Sequence, residues 1–224
     1  MPPEREIVLV YGMTGMGKTR WTRAFLRSQE RVLVMDTQVE HDGILFNDLG
    51  DMIEHIMKYR TFRVRTEFVD DFPLLCSIAF AAGKCWLVIE ETQRILPASR
   101  MEPPAAFLDV IYRGRHKQVN VLMVSQRPST VHISARSQWS RIVTFRQTEP
   151  ADVDWITNVS GFQAINPLTL PPSTYYEITP GGWSKKILAD TKKTLDKPSD
   201  IPDTEHVEQE SGQPEQPEME GEQP

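Results

Sequence analysis

Cysteine is scarce in this sequence: the 224 residues hold two, Cys76 and Cys85, both in apolar surroundings. That excludes a small disulfide-stapled scaffold and fits buried thiols in a reducing compartment; no metal-ligand spacing surrounds them. Long apolar runs are missing too. The greasiest stretch, Leu74 to Ile89, is interrupted by Gly83 and Lys84 and is too short to span a bilayer. At the amino end, "MPPERE" has charge and proline where a secretory signal would have its apolar segment. A soluble, intracellular chain is the expectation.

Basic charge is in short supply overall, with 25 Lys and Arg against 31 Asp and Glu. The deficit is local. From Leu195 onward there are ten acidic side chains and one lysine, so residues 1–194 keep 24 basic and 21 acidic groups, a surplus of three. A polyanionic partner therefore stays open for the globular part. The tail holds five prolines and almost no large apolar residues, too few to offset the entropy of ordering. Residues 194–224 are expected to be a disordered acidic tail rich in Pro, Glu and Gln, and residues 1–193 a single domain.

Within that domain, short apolar runs alternate with helical periodicity, which predicts an α/β fold on a mostly parallel sheet. Expected strands are Ile7–Tyr11, Arg31–Asp36, Phe62–Thr66, Cys85–Glu90, Asn120–Ser125 and Arg141–Phe145. Expected helices are Gly17–Ser28, Leu49–Tyr59, Asp71–Ala82, Pro104–Arg115, Ile133–Trp139 and Ala151–Val159. "TYYEITPGGWSKKILAD" reads as a terminal hairpin around a Pro-Gly-Gly turn. There is no internal repeat.

"GMTGMGKT", Gly12 to Thr19, fits the phosphate-binding pattern G-x-x-x-x-G-K-[ST]. An apolar strand precedes it and a helical pattern follows, as that chemistry requires. Glycines at 12, 15 and 17 let the backbone, through Thr14 and Met16, turn tightly and aim N–H groups at phosphate oxygens. The helix adds the positive end of its dipole. Lys18 is expected to reach the terminal phosphates of ATP, and the Thr19 hydroxyl to ligate Mg²⁺. The strand "CWLVIEE" then supplies carboxylates at its tip: Glu90 is assigned to Mg²⁺ and Glu91 to polarising the attacking water. Strand alternation would send the two in different directions. Gln126, at the tip of "NVLMVSQRPS", is a candidate for sensing the terminal phosphate, with a capping role before the Arg-Pro turn as the alternative.

Taken together, "GMTGMGKT", "LVIEET", "RGRHKQVNVLMVSQRPS" and "RIVTFRQTEPADVDWI" resemble the FtsK/HerA superfamily of P-loop DNA pumps over roughly residues 5–160. Within it, the chain is most similar to the genome-packaging ATPases of icosahedral viruses with an internal membrane. Only about six residues precede the first strand, so no N-terminal module or anchor is expected. One departure stands out: the family usually has Asp where this chain has Glu90.

The resemblance implies a RecA/FtsK-like P-loop fold and ATP hydrolysis coupled to translocation of double-stranded DNA by a homo-hexameric ring. It also implies capsid, vertex or membrane proteins as partners, in the host cytoplasm or docked on the virion. In such rings a neighbour's arginine completes the site; Arg115 and then Arg113, in the "RGRH" element, are the candidates. Between Thr92 and Arg146 nine basic residues face only Glu102 and Asp109. That surplus suits sequence-independent grip on duplex phosphates, with a solvated basic face as the plain alternative. The loop Leu96–Pro104 and the segment Arg127–Arg136 are candidate pore loops. Two rival functions remain: a nucleotide-gated assembly switch, and a small nucleoside or nucleotide kinase, for which no lid pattern is evident.

Overall fold

A computed structural model describes residues 5–99 and 102–189, together with Ser211–Gly212. The acidic tail expected over residues 194–224 lies, but for those two residues, outside the described residues.

The fold is organised by strands that are apolar on both sides. In β1 (Ile7–Tyr11) every residue is buried, because odd positions enter one core and even positions another. Leu9 and Tyr11 join the larger core; Val8 and Val10 join the smaller one. The same parity holds in β2 (Arg31–Met35), β5 (Cys85–Ile89) and β6 (Val119–Ser125). Helices α1 (Lys18–Leu26) and α2 (Leu49–Lys58) alternate with strands along the chain, as do α3 (Phe72–Ala82) and α5 (Ala105–Arg113). α1 covers the smaller core with Trp21, Phe25 and Leu26, whereas α3 and α5 cover the larger one.

Seven strands run parallel in the order β7-β1-β6-β5-β2-β4-β3, where β3 is Ile44–Leu45, β4 is Phe62–Thr66 and β7 is Arg141–Thr144. Beyond β7 the sheet turns antiparallel through β8 (Thr174–Thr179), β9 (Gly182–Ile187) and β10 (Ser211–Gly212). The expected α/β class and terminal hairpin are therefore present. β6 lies between β1 and β5, so the tips of these three strands are neighbours. Ligand sites in such sheets form at the carboxyl ends of the strands.

Three expectations change in detail, and one strand is added; the helix expected over Ile133–Trp139 already ends at Arg136. Strand β5 ends at Ile89, so Glu90 and Glu91 stand in the turn beyond it, and Glu91 caps the short helix α4 (Thr92–Ile95) at φ 47. Their divergence comes from that left-handed turn and not from strand alternation. α5 stops two residues short of Arg115 and runs directly into a 3-10 turn, Gly114–Lys117, that carries it. The two-residue β3 adds an edge strand that no periodicity announces.

Candidate nucleotide-binding active site

The cradle leaves β1 at Tyr11 and re-enters helix at Lys18. Gly12 sits at φ 151 against the next strand, where a Cβ would stand 2.6 Å from Phe145 Cβ, so glycine is required there. Gly12 N donates to Gln126 O and Met13 N to Arg146 O, which ties the loop to the ends of β6 and β7. Gly17 at φ 112 opens α1 without a side-chain cap, leaving the first-turn N–H groups directed at the loop. From the far side the terminal hairpin closes in: Ser173 N donates to Met16 O, and a Cβ at Gly17 would stand 2.9 Å from Leu188 Cδ1.

Lys18 is buried, and its Nζ donates to Gly12 O at 2.8 Å and Met13 O at 3.1 Å. An ammonium has three protons, so one remains for an incoming anion. Burial lowers its pKa below the usual lysine value, opposed by the carboxylates of Glu91, Glu90 and Glu40. A desolvated cation of this kind favours any arriving negative charge.

A cavity of about 470 Å³ opens in front of the cradle. Gly15, Lys18 and Thr19 line one wall, and Glu90, Glu91 and Gln126 line another. The expected cradle and strand-tip residues are thus brought to one space, with Thr14 and Gly17 also on its wall. Gly12 and Met16 shape the loop and are not among the lining residues.

A third wall comes from the loop after β2, which sequence reasoning missed. Asp36, fully buried, accepts from Glu40 N at 2.9 Å and His41 N at 3.0 Å, and Arg65 Nη1 lies 3.3 Å from it. These bonds fold the loop back over the sheet and hold the β-branched Val39 at φ 55. Glu40 is thereby set to accept from Thr19 Oγ1 at 2.7 Å, and His41 Nε2 lies 2.6 Å from Glu90 Oε1. The two residues assigned to Mg²⁺ each touch a partner from this loop. Among the described residues no cluster of three or more His, Cys, Asp or Glu side chains is placed to hold a metal unaided. Thr19 and Glu90 would be the residues to hold a Mg²⁺ ion that arrived with a nucleotide, whose phosphates would supply the charge the side chains lack.

Glu91 is held differently. Gln93 Nε2 donates to Glu91 Oε2, and Gln93 Oε1 accepts from Ser125 Oγ at 2.7 Å. Glu91 is thereby linked through Gln93 to the tip of β6. Two residues on, Arg127 Nε donates to the buried Asp152 of the helix Pro150–Ser160 at 2.7 Å, and Ser129 N donates to the other oxygen of Asp152. The "QRP" and "EPADVDWI" segments are joined by this pair, although the Arg127 side chain stays partly exposed. The other candidate pore loop is also engaged at its start, because Pro97 bridges to Val131 and Ala98 N donates to Thr130 O.

Against solved structures, the chain matches the genome packaging NTPase B204 from Sulfolobus turreted icosahedral virus 2 in complex with AMPPCP. The TM-score is 0.71 at 17% identity, over 83% of this chain and 99% of that one. The sulfate complex of the same NTPase gives 0.70 at 18% identity, over 85% and 100%. This chain has the fold of a genome-packaging NTPase. The pCW3 conjugation coupling protein TcpA, in monomer form with ATPgS, matches more loosely at 0.52 and 12% identity, over 79% of this chain and 58% of that one. No protein-family model matches the chain, and no curated protein aligns with it.

The packaging-NTPase fold does not bring Arg113 and Arg115 to the cradle of their own chain. β1 and β6 run parallel, with Tyr11 opposite Ser125, so the cradle lies at the carboxyl end of β6 while the Gly114–Lys117 turn enters its amino end. Seven strand residues separate the two ends, roughly 20 Å. Arg113 is committed locally to Asp109, at 2.8 Å across one helical turn, and lies over the ring of Phe80. Arg115 is exposed and has no side-chain partner among the described residues. Arg94, after Glu91, is exposed as well.

Among the described residues no helix is long and apolar enough to cross a membrane. Cys76 and Cys85 are both free and buried, and burial pushes the Cys85 thiol up to about 12.

Proposed function

We propose that this chain is an ATP hydrolase that moves double-stranded DNA as a homo-hexameric ring, in the packaging of a viral genome into a preformed capsid. The observation that carries the reading is the convergence on one cavity of a phosphate cradle and the tips of β5 and β6. The fold supports it: the packaging NTPase B204 has been crystallised with AMPPCP and with ATP-gammaS.

In this reading the cradle amides and Lys18 bind the triphosphate, and Thr19 and Glu90 face its metal side. Mg²⁺ would supply charge neutralisation at the phosphates when bound there. Glu91, oriented by Gln93, accepts the proton of the attacking water. Gln126 completes the far wall, where the terminal phosphate would lie. Arg115 acts on a neighbour's site, because its own lies at the opposite end of the strands. A finger of this kind is worth about 10³–10⁵ in rate, enough to make hydrolysis depend on assembly. Basic residues of the half from Thr92 to Arg146 would grip DNA phosphates without regard to sequence.

The test is ATPase rate against protein concentration, with and without duplex DNA. The expected result is a more than linear rise with concentration and further stimulation by duplex. Full turnover by a dilute monomer that ignores DNA would overturn the proposal. Displacement of a triplex-forming strand then separates a pump from a nucleotide-gated switch.

A further inference from the structure

Arg5 stands two residues before β1, in a stretch whose sequence carries no motif. Its guanidinium makes three hydrogen bonds to main-chain carbonyls: Nε to Val119 O at 2.8 Å, Nη1 to Ile111 O at 2.7 Å and Nη2 to Val110 O at 2.6 Å. Val110 and Ile111 lie in the last turn of α5, and Val119 opens β6. The segment between these anchor points is the turn that carries Arg115.

The geometry has a physical reason. The last carbonyls of a helix carry the negative end of its dipole, so a planar fork of donors suits them; Val110 O, which already accepts from Gly114 N, takes Nη2 as a second donor. Gly114 packs on the same guanidinium; a Cβ there would stand 3.2 Å from Nη2. On the other side, Lys84 N donates to Lys117 O at 2.8 Å, and a Cβ at Gly83 would approach that oxygen to 2.8 Å. The turn then leaves through Gln118 at φ 55. Its base is therefore held by Arg5, by the Gly83–Lys84 corner and by β6, while the Arg115 side chain stays exposed and unpartnered among the described residues. A fixed base with a free tip is what a group reaching into another copy needs, since misplacement of about 1 Å costs about a hundredfold in rate. Arg5 itself is half-buried without a carboxylate partner among the described residues, and burial lowers its pKa to about 10. An arginine with no such task would remain in water.

We propose that Arg5 is a positioning residue for catalysis in trans: it clamps α5 to β6 so that Arg115 projects toward the nucleotide site of the adjacent copy. The inference rests on the reading of Arg115 as a donated arginine.

The experiment compares Arg5→Met and Arg115→Ala, each alone and each mixed with Glu91→Gln subunits, under conditions where the ring is assembled. Arg5→Met keeps the apolar stem and removes all donors. The expected result is a fall in ATPase of about a hundredfold, an unchanged Kd for an ATP analogue, and recovery on mixing, because a Glu91→Gln neighbour donates an intact Arg115. A variant that is merely misfolded fails as acceptor as well as donor and shows no recovery. Arg5→Lys, which keeps the charge but not the fork, guards against a folding failure and should show a smaller defect of the same donor-side kind. Full activity of Arg5→Met overturns the proposal. So does a loss that mixing does not repair for either Arg5 variant while Arg115→Ala is repaired. Should Arg115→Ala itself show no recovery at any ratio, the donated arginine fails, a separate result that removes the ground under Arg5 as well.

Discussion

His41 Nε2 lies 2.6 Å from Glu90 Oε1, a buried contact between the loop after β2 and the end of β5. It gives a reason for Glu at a position where the ATPases that the sequence resembles usually have Asp. The carboxylate must reach across to His41, and Asp is shorter by one carbon–carbon bond, about 1.5 Å.

Glu90→Asp is therefore expected to destabilise the protein even though it restores the commoner residue. The loss should be about 1–3 kcal/mol, the cost of leaving a buried polar partner unpaired. His41→Ala should cost a similar amount, and the double variant should cost less than the two together, because both remove one interaction. Urea denaturation of the four proteins checks this. Strict additivity would mean that the contact does not hold the carboxylate.

Lys18 carries a pH signature. Its pKa is lowered by burial in the folded state, so between that value and the ordinary 10.5 the unfolded chain binds more protons than the folded one. Stability attributable to this group must therefore rise with pH across that window. Lys18→Met lacks the effect. The stability gap between wild type and variant should move in favour of wild type as pH approaches 10.5, read by denaturant titrations in the absence of nucleotide. A gap that stays constant or moves the other way would show that the ammonium is not desolvated. The same variant should lose measurable nucleotide binding, since the buried donor facing the cradle is gone.

Glu91 and Gln93 should separate binding from turnover. Glu91→Gln is expected to keep nucleotide affinity and lose about 10²–10⁴ in kcat, the usual worth of a positioned base. Gln93→Ala leaves the carboxylate present but unanchored, so kcat should fall by less, with KM and analogue Kd unchanged. A Gln93→Ala enzyme with normal kcat would show that the link from Ser125 through Gln93 has no part in orienting Glu91.

The contrast between these sites explains what the sequence could reveal. The cradle is eight contiguous residues whose chemistry is local, and β1 and β5 announce themselves because burial on both faces leaves "IVLVY" and "CWLVI" with no polar position. The partners that tune the site are distant in sequence: His41 and Glu90 are 49 residues apart, and Arg5 and Val119 are 114 apart. No spacing rule links such pairs, and a lone Arg, Gln or His carries no motif. β3 was silent because Ile44 and Leu45 are both exposed and too few to show a period. Nor does "IEET" announce that a glutamate will take a left-handed backbone, which is what parts Glu91 from Glu90. Asp36 was legible only as the end of a strand; its work of folding the following loop depends on backbone amides four and five residues on.

Two cradle glycines should fail in opposite ways. At Gly12 a methyl group would meet Phe145 Cβ at 2.6 Å and its Cα at 3.3 Å, and Phe145 is fully buried with its N–H bonded to Tyr11 O. Neither strand end can yield cheaply, so Gly12→Ala should cost about 1–3 kcal/mol of stability from overpacking alone. At Gly15 a methyl group would meet nothing within 4 Å, and the penalty is confined to the left-handed backbone at φ 80, roughly 1–2 kcal/mol. Gly15 lines the cavity, however, so the added methyl stands where phosphate must approach the amides. Gly15→Ala is therefore expected to fold with a modest loss and to bind an ATP analogue at least tenfold more weakly. Gly12→Ala should show the larger stability loss in urea and, in the fraction that folds, a smaller change in affinity. If the ranking is the same in both measurements, the loop does not divide into a strand-packing end and a phosphate-facing end.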